Sequence, residues 1–187
     1  VEGTSSLFID TGVVPFKGID LLYDIEYTDI STVDATAPIP TFGVCGATYG
    51  WQSASFYVLY RNDTKSLNVR IWDTNNGNAQ ECPFLKGRFQ IRMSYDSWQL
   101  IQDGKSILWN KMSTVSMIPN MTIYIGNKHD TTNIHSMNAS YKLYGCKIFN
   151  ASELIRNYVP ANKNGKAGMI ETISNRFYEF KEMIYDK

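Results

Sequence analysis

The sequence predicts an all-β chain folded as a two-sheet antiparallel β-sandwich of jelly-roll type. Three observations predict it. Roughly a dozen short β-rich runs recur at regular spacing, each stopped by Gly, Pro, Asn or Asp. Aromatic residues reach 13%, led by twelve Tyr, a composition that suits pleated, half-buried surfaces. Helical periodicity is confined to one stretch, "SELIRNY", which Ser152 could cap and Pro160 would end. The length of 187 residues fits one domain, 1–187, with room for a substantial core.

The strands follow in order. "SLFIDTGV" (6–13) opens the series and stops at Gly12 and Pro15. "IDLLYDIEYTDI" (19–30) alternates, with Leu22, Asp24 and Glu26 opposing Tyr23, Ile25 and Tyr27. "STVDATAPIP" reads as a loop because of its two prolines and small residues. "TFGVCGA" and "SASFYVLYR" form two strands around the loop "TYGWQ"; "SLNVRIWD" follows and ends at the turn "TNNGN". "RFQIRMSYD" and "SWQLIQ" precede Asp103-Gly104, and "SILW" follows it, so the Asp-Gly pair marks a tight hairpin. "MTIYIGN" and "SYKLYGCKIFN" supply two more strands.

Charge and cysteine content exclude several classes of function. Eighteen basic residues balance eighteen acidic ones, and the arginines of "IRM" and "VRIW" are scattered, so no nucleic-acid partner is expected. No apolar run is long enough for a membrane-spanning helix, so membrane insertion is not expected. "VEGTSSLFID" lacks the basic and apolar regions of a signal peptide, and without an initial Met the chain reads as a processed product or a piece of something longer. Cys45, Cys82 and Cys146 are odd in number and widely spaced; at least one is expected as a buried thiol.

The end of the chain carries the most specific pattern. "GCKIF", "LIRNYVP", "GKAGMIE" and "NRFY" follow one another between Tyr141 and Phe180. In that order they resemble the C-terminal part of LamG-like jelly-roll domains of the concanavalin A-like lectin/glucanase superfamily. "FIDTGVVP" and "YIGN" resemble that family's opening strand and a later one, and "SYDSWQLIQDGKSI" is similar to its hairpin. The likeness departs from the family at Ala161, where a Cys is frequent, and at Met169-Ile170-Glu171, where the family has an aromatic and an Asp. It implies a final segment that lies against the first strand and closes the sandwich, with Gly165 and Gly168 shaping the turn and Phe177 and Tyr178 alternating between core and surface. With Ala161 in the Cys position, three reduced cysteines are expected.

The superfamily includes glucanases, whose paired acids sit on alternate positions of one strand about 5 Å apart. "DIEYTD" holds Asp24, Glu26 and Asp29, but lies too early in the chain and lacks aromatic flanks, so it reads as the solvated face of a strand. No catalytic residue and no enzymatic activity are expected; a glucanase-type glycoside hydrolase ranks third among the readings. His129 and His135 share one polar loop without a third firm ligand, so no metal site is expected. Asp73, Asn75, Asn78 and Glu81 are oxygen donors that suit Ca²⁺, but Gly77 breaks the EF-hand spacing and an Asn/Gly turn explains the stretch equally. No cofactor is therefore expected, with Ca²⁺ as the one candidate.

Sugars stack their CH faces on aromatic rings and bond their hydroxyls to amides and acids. Tyr49 and Trp51 sit in a Gly-flanked loop, and Trp72 precedes Asp73 and Asn75, so these five are the expected ligand-binding residues. Trp98 and Trp109 flank the Asp-Gly hairpin and read as core or cross-strand partners. The leading expectation is a non-catalytic carbohydrate-binding module of a bacterial surface protein or phage virion fibre, with a glycan or cell-surface polysaccharide as partner. The location is then a virion or the cell surface, in a homo-oligomer or larger assembly. The alternative is a structural or adhesive head or tail decoration domain that binds no sugar.

Overall fold

A computed structural model describes residues 2–4, 7–29, 39–45, 55–61, 66–71, 79–83, 85–111, 121–126, 129–130 and 140–182. Among them the larger sheet runs in the order β10 (Lys105–Lys111), β9 (Ser97–Gln102), β8 (Phe89–Ser94), β3 (Ile19–Asp29), β13 (Ser140–Asn150), β14 (Glu153–Lys163), β15 (Lys166–Glu171) and β16 (Arg176–Glu179). A short strand, β1 (Glu2–Thr4), also pairs with β13. The smaller sheet runs β17 (Lys181–Glu182), β2 (Leu7–Asp10), β11 (Tyr124–Ile125), β4 (Ile39–Cys45), β5 (Ser55–Arg61), β6 (Ser66–Ile71) and β7 (Ala79–Pro83). β12 (His129–Asp130) joins β4, and this pair is the parallel one. The described residues contain no helix, and the chain is an antiparallel β-sandwich.

Alternation decides which face of each strand is inside. In β3, Leu21, Tyr23, Ile25 and Tyr27 point to the core, and Asp20 and Asp24 point away from it into polar contacts. Phe89, Ile91 and Met93 of β8, Leu143, Cys146 and Ile148 of β13, and Tyr158 of β14 complete that side. Ile9, Val58, Leu67, Val69, Ile123 and Ile125 face them from the smaller sheet. Two buried tyrosines find acceptors: Tyr158 donates to the Thr11 carbonyl at 3.1 Å and Tyr141 to the Gly126 carbonyl at 3.4 Å. Burial raises both phenols above their ordinary range, so they stay protonated donors. The Cys146 thiol is free, buried and likewise raised by burial.

The "FIDTG" motif is explained by its hydrogen bonds. The Thr11 hydroxyl donates to the Ile123 carbonyl at 2.8 Å and accepts the Val13 N–H at 3.1 Å. Asp10 accepts the Gly12 N–H at 2.9 Å, which folds the chain into a local turn where Gly12 has φ +67°. Asp103-Gly104 forms the expected hairpin, with φ of 53° and 72°, and Asn164-Gly165 makes a second with 55° and 82°.

Two expectations are corrected here. "SELIRNY" is strand β14, not a helical turn. Ala151, at φ 52°, reverses the chain so that Asn150 opposes Glu153. The segment then lies between β13 and β15, and both ladders satisfy a backbone that a helix would have withdrawn from them. Pro160, expected to end a helix, stands inside β14 beyond Tyr158, where the pairing with β13 stops, so its missing N–H costs that ladder nothing. The proline-bearing loop is also shorter than expected, because Ile39 and Pro40 belong to β4 beside a register shift.

The final segment crosses between the sheets. β16 pairs with β15 in the larger sheet, and two residues later β17 pairs with β2 in the smaller one, Lys181 opposite Phe8. Gly165 shapes the turn as expected, but Gly168 does not. It lies in β15 beneath Phe177, where a Cβ would stand 2.2 Å from the Tyr178 carbonyl oxygen and 2.6 Å from the Phe177 ring. Tyr178 packs edge-on against Tyr158 with centroids 5.6 Å apart.

Glu171 organises the turn that follows β15. Its carboxylate accepts N–H bonds from Asn157 at 3.1 Å, Ile173 at 3.0 Å and Ser174 at 2.8 Å. Burial pushes its pKa up, but the Ser174 side chain and these three N–H groups outweigh it and bring it to about 2. A carboxylate held below its unfolded value stabilises the fold above about pH 4.5, and that contribution disappears as the pH falls towards 2. The linked stability is on the order of 3 kcal/mol. Denaturant unfolding at pH 6 and pH 2.5 should show Glu171→Gln less stable at the higher pH, with a smaller difference between the two pH values. An unchanged difference would remove Glu171 from the acid response.

Deletion of residues 166–187 takes away Met169, Glu171, Tyr178 and the strand that covers β2. It should abolish cooperative unfolding, because a marginally stable domain cannot absorb an opened core. A truncated protein that melts cooperatively near the parent temperature would show the segment to be an appendage.

Candidate functional site

The outer face of the larger sheet carries polar side chains on its central strands. Pairing registers align Trp109, Gln99, Arg92, Leu22, Lys147 and Asn157 in one row across six strands. A neighbouring row holds Ser97, Ser94, Asp20 and Phe149. Every acid of β3 described on this face is engaged. Arg92 Nε donates to Asp20 at 2.8 Å and 3.1 Å, and its Nη2 also donates to Asp20. Arg88 grips Asp24 through Nε and Nη2, both at 2.8 Å, and Gln90 adds a third bond at 2.9 Å. Tyr144 donates to Glu26 at 2.7 Å, which raises its phenol pKa, and the Arg88 guanidinium lies 4.1 Å from the Tyr144 ring centroid.

At the β10 edge this face sinks into a hollow of about 240 Å³, lined by Asp20, Arg92, Ser94, Ser97, Trp98, Gln99 and Trp109. Ser94 and Ser97 share a hydrogen bond of 2.7 Å between their hydroxyls. Trp98 is buried, and its indole N–H has no hydrogen-bond partner among the described residues. Trp109 is 59% exposed. A large aromatic ring held open to water next to amide, hydroxyl and charged groups is the arrangement that sugar recognition uses.

The exposure of Trp109 corrects the sequence reading. In a regular hairpin Trp98 and Trp109 would oppose each other on the core face. The register instead shifts between Ser106 and Leu108, so Asn110 opposes Trp98 and Trp109 opposes Gln99. One extra residue, Ile107, turns the ring from the core to the outer face. The expectation held for Trp98, which is 1% exposed. A bulge leaves no firm mark in composition, though "KSILWNK" has three apolar residues in succession, which no strict alternation can place on one face.

The nominated residues Tyr49, Trp51, Trp72, Asp73 and Asn75 lie outside the described residues. So does most of the oxygen-donor turn considered for Ca²⁺, whose last residue, Glu81, falls in β7. His129 belongs to β12 and not to a loop, and His135 lies outside the described residues. Among the described residues no three His, Cys, Asp or Glu side chains gather as a metal site.

No protein-family model and no curated protein matches the chain. Among solved structures it is similar to a family 7 alginate lyase, A1-II', determined as a variant in complex with a GGMG substrate. The TM-score is 0.44 at 10% identity, over 74% of this chain and 64% of the lyase chain. The chain thus spans less than two thirds of the length of that protein. The match corrects the expectation that the chain is not an enzyme. That expectation rested on the missing paired acids of the glucanases, and the solved neighbour is an enzyme of a different reaction class.

The two tryptophans should respond differently to truncation. Trp98→Ala should cost about 3–5 kcal/mol of unfolding free energy, because it empties a core position. Trp109→Ala should stay within about 0.5 kcal/mol of the parent. Equal losses in chemical denaturation would mean that Trp109 is packed.

Proposed function

We propose that this domain binds a saccharide chain on the outer face of its larger sheet, seated at the hollow beside Trp109. The observation that supports this reading is the Trp109 ring, open to water at the rim of a hollow with Gln99, Ser94, Ser97, Arg92 and Asp20 in its wall. One ring face stacked on the indole contributes on the order of 1–3 kcal/mol, by analogy with base–aromatic contacts. Gln99 offers both a donor and an acceptor, and the serine hydroxyls offer either. Sugar hydroxyls need that mixture. Hydrogen bonds in the wall then select the hydroxyl pattern, since a polar group left unpaired on binding rejects the wrong sugar.

In this reading the chain is a LamG-like module of the concanavalin A-like kind, and its setting is a bacterial surface protein or a phage virion fibre. The partner is a cell-surface polysaccharide. The resemblance of "FIDTGVVP" and of residues 141–180 to those domains supports the assignment.

A glycan array with the isolated domain tests the proposal, and Trp109→Ala locates the site. Binding should weaken about tenfold or more in Trp109→Ala, with the melting temperature nearly unchanged. Binding that survives Trp109→Ala would move the site elsewhere. Silence of the parent domain on the array would favour a role in assembly without sugar binding.

A further inference from the structure

The hollow beside Trp109 carries information about the charge of its occupant, and the inference from it rests on the saccharide reading above. We infer that this hollow selects an uncharged sugar ring over an acidic one such as a uronate, because the one base and the one acid among its described lining residues already pair with each other.

Among the described residues the wall contains one cation, Arg92, and one anion, Asp20. Arg92 directs Nε and Nη2 into the Asp20 carboxylate, and the Asp20 side chain is only 11% exposed against 53% for Arg92. A sugar carboxylate would find the guanidinium with its charge balanced and its fork engaged on one side. It would also meet the Asp20 carboxylate behind it. Repulsion from Asp20 opposes the attraction to Arg92, so the carboxylate's desolvation is only partly offset.

The surroundings do not alter that balance. Lys111 stands opposite Ser97 at one rim, and Asp96 precedes Ser97 in the turn beside it, so these two described charges are again one of each sign. Lys147 shares the row of Arg92 but lies beyond Leu22, two strands away. A neutral ring requires none of these charges to move. It stacks on Trp109 and exchanges hydroxyl bonds with Gln99, Ser94, Ser97 and the Nη1 side of Arg92, which no described residue occupies.

The test compares short neutral oligosaccharides (β-glucan, mannan and galactan fragments) with oligouronates of equal length by calorimetry, on the parent, Trp109→Ala and Asp20→Asn proteins. The parent should bind a neutral fragment about tenfold or more tightly than any oligouronate, and Trp109→Ala should lose that binding. Asp20→Asn frees the Arg92 charge while keeping an acceptor, so it should narrow the gap about threefold or more. Oligouronate binding as tight as neutral binding, and equally dependent on Trp109, would overturn the selectivity and leave the saccharide site standing. An unchanged gap in Asp20→Asn, verified as folded by its melting curve, would overturn the charge argument. Absence of binding to every fragment would overturn the inference together with the reading beneath it.

Discussion

A carboxylate cannot enter a hydrocarbon core unpaired, and in β3 this rule sets the register of the larger sheet. Asp20 and Asp24 alternate with Leu21, Tyr23 and Ile25, so a slip of one residue would drive two acids inward and bring the aromatic and aliphatic set out to water. β3 pairs with β8 on one side and β13 on the other. Both neighbours inherit its phase, and the arginines at 88 and 92 arrive on the outer face diagonal to the acids they grip, Arg92 directly opposite Leu22. The ion pairs are half-exposed at their arginine ends, so each adds little stability by itself. Their larger effect is on specificity: only one register satisfies them.

The parts of the fold legible in the sequence are those in which local chemistry and tertiary demand agree. Partial alternation in 19–29, interrupted at Leu22, was still enough to mark a strand with one wet face. Asp103-Gly104 required positive φ at two successive positions, which is what a two-residue hairpin supplies. "SELIRNY" misled because its cap and propensity signals describe an isolated segment, while its fate was decided by β13 and β15. Pro160 was equally ambiguous, since the same missing N–H ends a helix or sits harmlessly where a ladder stops.

The candidate site was less legible for a related reason. Sequence reasoning looked for sugar-binding rings in glycine-bearing loops and assigned the strand tryptophans to packing. The bulge at Ile107 reverses that logic for Trp109 alone. Ring and wall come from positions such as Asp20, Arg92 and Trp109 that are remote in the chain and share no motif. Register, not proximity in sequence, places them side by side.

The crossing of the chain between sheets near both its described ends has a kinetic consequence. β1 pairs with β13 and β2 with β17, while β3 pairs along its length with β13, so the first strands find partners more than a hundred residues later. During synthesis β3 gains β8 first but keeps its other edge open until β13 is made, and β2 waits for β11 and then β17, so each holds an open edge while more than a hundred residues are added. Closing such long loops before any contact rewards them makes folding slow, and it leaves unpaired strands exposed in the meantime. The polar outer side of β3 is well suited to that interval: Asp20, Asp24 and Glu26 keep the waiting strand charged before Arg88 and Arg92 reach it, which discourages edge-to-edge association with other chains.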